Sequence, residues 1–305
     1  MTMSDTMHNQ QSQLNWYSEF KHSLKLKEVE EWLDLFYFRP LAFLLVKAVY
    51  RTNIRPNHLT GTAVLMGIIA GCFYSAGTSS SITAGALFYM AFNIFDCSDG
   101  QLARLKKNGT PIGRILDGVG DLVATVAVYI GLAFGFANHQ ENPSFWWIML
   151  SLTGLSNGIH GVIVDFYRNR FLDYYTLRKN NFEEGLRKYR QVYVLAKQQK
   201  GKWFDRTILI IYLKYCGFQR LLVARRKQAK TIEVSPQDYY KKNRIMMRLW
   251  LFLGPTSQIS NLIICSLFHR IDLFVWIVLI GFNGLAVILW VVQKIIERTY
   301  KLIEE

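Results

Sequence analysis

Leu59–Phe95, LTGTAVLMGIIAGCFYSAGTSSSITAGALFYMAFNIF, runs for 37 residues without Asp, Glu, Lys or Arg. A helix needs about 20 apolar residues to cross the hydrocarbon of a bilayer, so this run holds two crossings with a Gly/Ser-rich turn between them. Outward from it, uncharged stretches recur at Phe145–Val164, Leu249–Phe268 and Leu273–Gln293. The 305 residues are 51% hydrophobic and 19% charged, which is ambiguous in bulk. Segregation of the apolar residues into long runs excludes a soluble enzyme, a secreted disulfide scaffold and a disordered tail protein. Cys72, Cys97, Cys216 and Cys265 lack the pairing or His spacing of a zinc site, so neither a structural metal nor disulfides are expected.

The pattern predicts an all-α polytopic membrane protein with six transmembrane helices plus cytoplasmic amphipathic helices. The expected spans are Leu59–Gly77, Ser81–Arg104, Gly113–Ala137, Phe145–Tyr167, Leu249–Phe268 and Leu273–Gln293. Loop charge then tests the orientation. One set of span ends carries Arg51, Arg55, Arg104, Lys106, Lys107, Arg114, Lys294, Arg298 and Lys301, whereas the opposite set carries only Arg270. Between Tyr167 and Arg248 there are 21 Lys/Arg against 6 Asp/Glu, an excess of 15 that accounts for the whole net charge of +14. Positive-inside bias puts both termini and this basic segment in the cytoplasm of a cell-membrane protein. For a loop tethered at both ends the anionic leaflet is the nearer polyanion, so nucleic acid is not expected as a partner. The first 24 residues are polar, without the apolar core of a signal peptide.

The expected organisation is a polar tail at 1–25, a juxtamembrane amphipathic region at 26–56 and four spans with the chemical motif at 57–167. A basic cytoplasmic insertion follows at 168–248, then two spans at 249–293 and a cytoplasmic tail at 294–305. Within 26–56, Glu28, Glu30, Glu31, Asp34, Arg39 and Lys47 interrupt the apolar residues, which argues for interfacial helices rather than a seventh span. Ile208–Leu222 reads the same way. Gly67 and Gly71, or Gly131 and Gly135, are helix-packing pairs within one chain or between two.

Asp96–Asp121 reads DCSDGQLARLKKNGTPIGRILDGVGD. Asp96, Asp99, Gly100, Ala103 and Arg104 fall on one helical stripe, and Gly113, Asp117 and Asp121 fall on another. A short turn makes the two helices antiparallel neighbours, so four carboxylates converge at the cytoplasmic end. An acid in an apolar layer costs about 2.5–3.5 kcal/mol on insertion scales, and mutual repulsion adds to it, so a cation must compensate. Oxygen donors without His or Cys suit Mg2+ or Mn2+. The small residues leave space for a ligand, and the Arg104 fork suits phosphate oxygens. A single acid near a span end is commonly a headgroup-level charge; eight positions in helical phase are a different matter. Metal, phosphate and a carboxylate base together describe phosphoryl transfer.

DxxDGxxAR, eight residues, then GxxxDxxxD resembles the signature of the CDP-alcohol phosphotransferases, also called CDP-alcohol phosphatidyltransferases, with every position filled. The resemblance implies class I chemistry, in which a CDP-linked donor is attacked by an alcohol and CMP leaves. By that resemblance Asp96, Asp99, Asp117 and Asp121 would ligate two divalent ions, Mg2+ or Mn2+, and Asp121 would also act as general base. Gly100, Ala103, Arg104 and Gly113 would admit the cytidine diphosphate, joined by Asn57 and Thr60 at the entry to the first span. A homodimer among membrane lipids is the commonly expected assembly.

The resemblance further favours CDP-diacylglycerol as donor and a small polar alcohol as acceptor, of inositol, inositol phosphate or glycerol phosphate type. A CDP-headgroup enzyme acting on diacylglycerol or ceramide is the alternative, and a cation transporter or channel is the rival of another class. Asp165, Arg168, Arg244 and Arg248 are the acceptor-side candidates, with His160 and Arg170 nearby. Guanidinium groups turned into the cleft would imply a phosphorylated acceptor, whereas groups turned outward are headgroup contacts.

Overall fold

Helix starts and stops follow local chemistry in the computed structural model, which describes residues 16–24, 26–175, 181–198, 235–301 and scattered positions between 203 and 213. In chain order the helices are α1 (16–23), α2 (Arg39–Val49), α3 (Pro56–Ser75), α4 (Ser79–Lys106), α5 (Pro111–Gly135), α6 (Pro143–Tyr175), α7 (Asn181–Gln198), α8 (Pro236–Trp250), α9 (Pro255–Leu267), α10 (Ile271–Trp276) and α11 (Asn283–Lys301). π-Helical stretches at Asp34–Phe38 and Ile277–Phe282 lead into α2 and α11. No strand occurs among the described residues. Proline at the first turn opens α3, α5, α8 and α9, where its missing N–H is no loss. Thr78 and Ser81 cap α4 reciprocally, and Thr110 Oγ1 accepts from Gly113 N at 2.9 Å to cap α5. Lys107, left-handed at φ 52°, ends α4, so the chain turns straight into α5.

The centre of the molecule is the trio α3, α4 and α5, in which α3 and α5 run parallel and α4 runs against both. Glycine decides how close α3 and α5 come. A Cβ on Gly71 would lie 2.5 Å from the Ala127 carbonyl oxygen, and Cβ atoms on Gly67, Gly131 and Gly135 would collide with Ala124, the Gly71 carbonyl and the Tyr74 carbonyl. These glycines therefore form one seam within the chain, which resolves the two packing alternatives that GxxxG spacing leaves open. Gly77 (φ +70°) reverses the chain between α3 and α4 against Gly135. α9 and α10 close the core through Leu262, Phe274 and Val275, and the Tyr74 hydroxyl meets Ser266 Oγ at 2.9 Å. A second cluster around Trp250, Tyr167 and Phe171 joins α6, α8 and α11.

Among the described residues, four helices are long and apolar enough to cross a membrane: Pro56–Ser75, Pro111–His139, Pro143–Tyr175 and Ile271–Arg298. The other two expected spans differ for separate reasons. α4 has the length, at 28 residues, but its opening serines, Asn93 and acids make it more polar than the rest. The uncharged run Leu249–Phe268 is not one helix: a 3-10 turn at Leu251–Leu253, then Gly254 and Pro255, break it. That leaves α9 with 13 residues, about 20 Å, short of the roughly 30 Å of hydrocarbon.

Residues 26–56 form broken helices, the longest being the 11 residues of α2. Their charges are not all turned to water, because Glu30, Glu31 and Arg39 are buried. Of the basic insertion, α7 and Leu209 pack on Ile115 near the start of α5 through Ala196, Val192 and Tyr193. Most of Ile208–Leu222, together with Cys216, residues 1–15 and 25 of the expected tail and residues 302–305, lies outside the described residues.

Candidate metal and phosphate site

α4 and α5 bring the carboxyl oxygens of Asp96, Asp99 and Asp117 within 4.8 Å of one another. Asp121 is one turn beyond Asp117, and its charge acts on Asp96 through space. Thr60 on α3 donates to Asp99 Oδ2 and also reaches the Pro56 carbonyl at 3.3 Å. Neither Asp96 nor Asp99 has a Lys or Arg ion partner among the described residues. Hard oxygens at this spacing, in a poorly solvated position, repel one another until a cation enters, so the donor set fits Mg2+ or Mn2+.

The side chains expected to receive the nucleotide surround these acids. A Cβ on Gly113 would lie 2.8 Å from Asn57 Oδ1 and 3.0 Å from Thr110 Oγ1, so α3 and α5 touch there only because position 113 has no side chain. A Cβ on Gly100 would lie 3.4 Å from both terminal nitrogens of Arg104, and one on Gly109 in the turn would lie 3.6 Å from Ala103. Asn57, Thr60, Gly100, Ala103, Arg104 and Gly113 thus gather at the same end of the α3–α4–α5 trio. Arg104 Nε donates to the carbonyl of Ser23, while its Nη2 is buried without a hydrogen-bond partner. Lys106, a loop charge in the sequence reading, donates to the carbonyls of Thr52 and Ile54 at 2.9 Å each and ties the end of α4 to the approach to α3.

A second acid group, on the segment expected to be an interfacial helix, stands behind the first, with Glu30 and Glu31 buried and Asp34 half-buried. Glu30 pairs with Arg39 at 2.8 Å. Glu31 Oε2 accepts from the backbone N–H of Ser257 at 2.9 Å and its hydroxyl at 3.2 Å, in the first turn of α9. A Cβ on Gly254 would strike that carboxylate. Asp34 accepts from Thr256 Oγ1 at 3.0 Å and from the Cys97 thiol at 3.6 Å. Burial, reinforced by Asp34, pushes the Glu31 carboxyl up to about 7, against the Ser257 amide and Arg168. Only the Gly-Pro entry to α9 hinted at a helix end that needs an acceptor.

The acceptor-side candidates are dispersed. Arg168 is held by Asp165 at 3.1 Å and lies 3.9 Å from Glu31. Arg248 donates to the Glu30 carbonyl at 3.2 Å and lies over the Trp32 ring. Arg244 is exposed, and Arg170 pairs with Glu297 at 2.5 Å. His160 Nε2 meets Asn283 Oδ1 at 2.9 Å inside the bundle, as an interior histidine would.

No curated protein matches this chain. Residues 53–170, from the approach to α3 through most of α6, match the family model described as CDP-alcohol phosphatidyltransferase.

Proposed function

We propose that this protein transfers a phosphatidyl group from CDP-diacylglycerol to the hydroxyl of a small polar alcohol, releasing CMP at the cytoplasmic face of the membrane. The observation that carries the reading is the convergence of Asp96, Asp99 and Asp117 within 4.8 Å on the two helices of the matched domain. These three residues would hold divalent ions, joined on the second ion by Asp121. Divalent cations bound there would offset charge on the donor pyrophosphate and on departing CMP. Asn57, Thr60, Gly100, Ala103 and Gly113 would admit the cytidine diphosphate, and Arg104 would direct its fork at a phosphate oxygen. Asp121 would take the proton of the acceptor hydroxyl as the new P–O bond forms and the bond to CMP breaks.

α4 completes a set of six crossings with the short α9 flanked by α8, and the charge parity of the loops supports a cytoplasmic site. The internal pairing of Arg168, Arg170 and Arg248 favours an acceptor of inositol type over a phosphorylated one, since these guanidinium groups already have partners. Asp165, Arg168, Arg244 and Arg248 would then shape the acceptor entrance rather than neutralise a phosphate.

The test supplies membranes containing the protein with CDP-diacylglycerol, Mg2+ and a panel of inositol, inositol phosphate, glycerol phosphate and serine, with lipid products identified by mass. CMP release with one acceptor, abolished by Asp121→Asn, is the expected result. Metal-dependent ion flux with no CMP from any donor would replace this reading with that of a transporter.

A further inference from the structure

The matched domain begins at residue 53, yet a segment well before it reaches the signature arginine. α1 ends at Ser23, which is fully buried, and the Ser23 carbonyl accepts from Arg104 Nε. Gln101, also fully buried and one turn before Arg104, donates its Nε2 to Ser23 Oγ and to the Arg39 carbonyl at 3.2 Å each. Three further contacts seat α1. Phe20 meets Phe43 of α2 edge-on at 5.2 Å between centroids, Trp16 does the same at 5.2 Å, and Glu19 pairs with Lys47 at 2.5 Å.

The consequence for Arg104 is geometric. A guanidinium has five N–H donors in a rigid plane, so fixing Nε fixes the direction of the terminal nitrogens. Nη2 is buried and makes no hydrogen bond among the described residues, and Gly100 leaves open space beside both terminal nitrogens. One edge of the fork is therefore held by the protein while a donor on it remains for a ligand.

We infer that Ser23, held by Gln101 and by the seating of α1 on Phe43, is a positioning residue that aims Arg104 at the pyrophosphate of the CDP-linked donor. The inference rests on the proposed donor-binding role of Arg104 and adds residues 16–23 to the machinery of the site. Gln101 and Phe20 are the points at which it is tested, because a backbone carbonyl is not removed by substitution.

Initial rates of CMP release are measured in the full-length protein against donor and acceptor concentration for Gln101→Leu, Phe20→Ala and Phe20→Leu, each alone and with Arg104→Ala. The expected result is a rise of about tenfold in the KM for the donor for Gln101→Leu and Phe20→Ala, the size of a misaimed contact. The kcat and the acceptor KM should stay within about twofold, and Phe20→Leu should restore most of the loss. In the Arg104→Ala background neither change should raise the donor KM further, since coupled residues are non-additive. Gln101→Leu also removes two buried hydrogen bonds, so its thermal midpoint is measured in parallel, and a kcat and acceptor KM held within about twofold mark a folded enzyme whose loss is confined to the donor. An unchanged donor KM in both variants, or effects that add fully to Arg104→Ala, would overturn the inference. An Arg104→Ala enzyme with wild-type donor KM would instead overturn the role assigned to Arg104.

Discussion

Glu30, Glu31 and Asp34 on one side, and Asp96, Asp99 and Asp117 on the other, are two groups of buried and half-buried acids joined through the contact of Asp34 with Cys97. The first group is answered by the protein itself: Arg39 faces Glu30, and the opening amides of α9 with Arg168 face Glu31. In the second, Asp96 and Asp99 face other carboxylates and a threonine hydroxyl. Clustered acids alone do not mark a cation site. What distinguishes Asp96 and Asp99 from the first group is that no Lys or Arg ion pair answers them among the described residues, so an external cation would compensate them.

The contrast breaks most readily in catalysis. Asp96→Asn and Asp121→Asn should each lower CMP release by at least about a thousandfold, whereas Glu31→Gln should leave it within a few-fold. Equal losses in all three would erase the distinction. Stability should respond in the opposite sense. Arg39→Met leaves the Glu30 carboxylate buried without its ion partner and should cost about 3–5 kcal/mol in thermal unfolding in detergent, largely recovered by adding Glu30→Gln.

Divalent ions sharpen the comparison without any assay of turnover. Mg2+ or Mn2+ at a hundredfold excess over its dissociation constant should stabilise the folded protein by about 2.7 kcal/mol, and Asp96→Asn should abolish that increment. Along the seam of α3 and α5, Gly131→Ala should cost about 1–3 kcal/mol by pressing a methyl group onto the Gly71 carbonyl. The last effect is in pH. Glu31 titrates at about 7 when folded against 4.5 as its ordinary value, so the folded state binds the extra proton between these limits. Stability from this group is full below about 4.5 and is lost as pH rises to about 7. Glu31→Gln should flatten that part of the melting profile.

The candidate site was legible because its residues are local: two helical stripes joined by one turn put Asp96, Asp99, Asp117 and Asp121 in phase before any fold is known. Its supporting groups were not. Glu31 and Ser257 are 226 residues apart and Ser23 and Arg104 are 81 apart, so nothing in either neighbourhood announces the other. Glu30 and Glu31 beside Trp32 and Leu33 have the pattern of a surface helix; only distant partners make their burial tolerable. The fifth expected span has other boundaries for a related reason. Absence of charge over Leu249–Phe268 measures polarity, while the helix boundary is set by Gly254 and Pro255.

Where α3 and α5 meet backbone to backbone, there are no side chains to re-pack and so no soft layer on which the two rods might slide. The floor of the site is mechanically stiff. Any breathing that admits the proposed lipid nucleotide would then come from the walls and roof, among them α6, α7 and the segment that ends at Ser23.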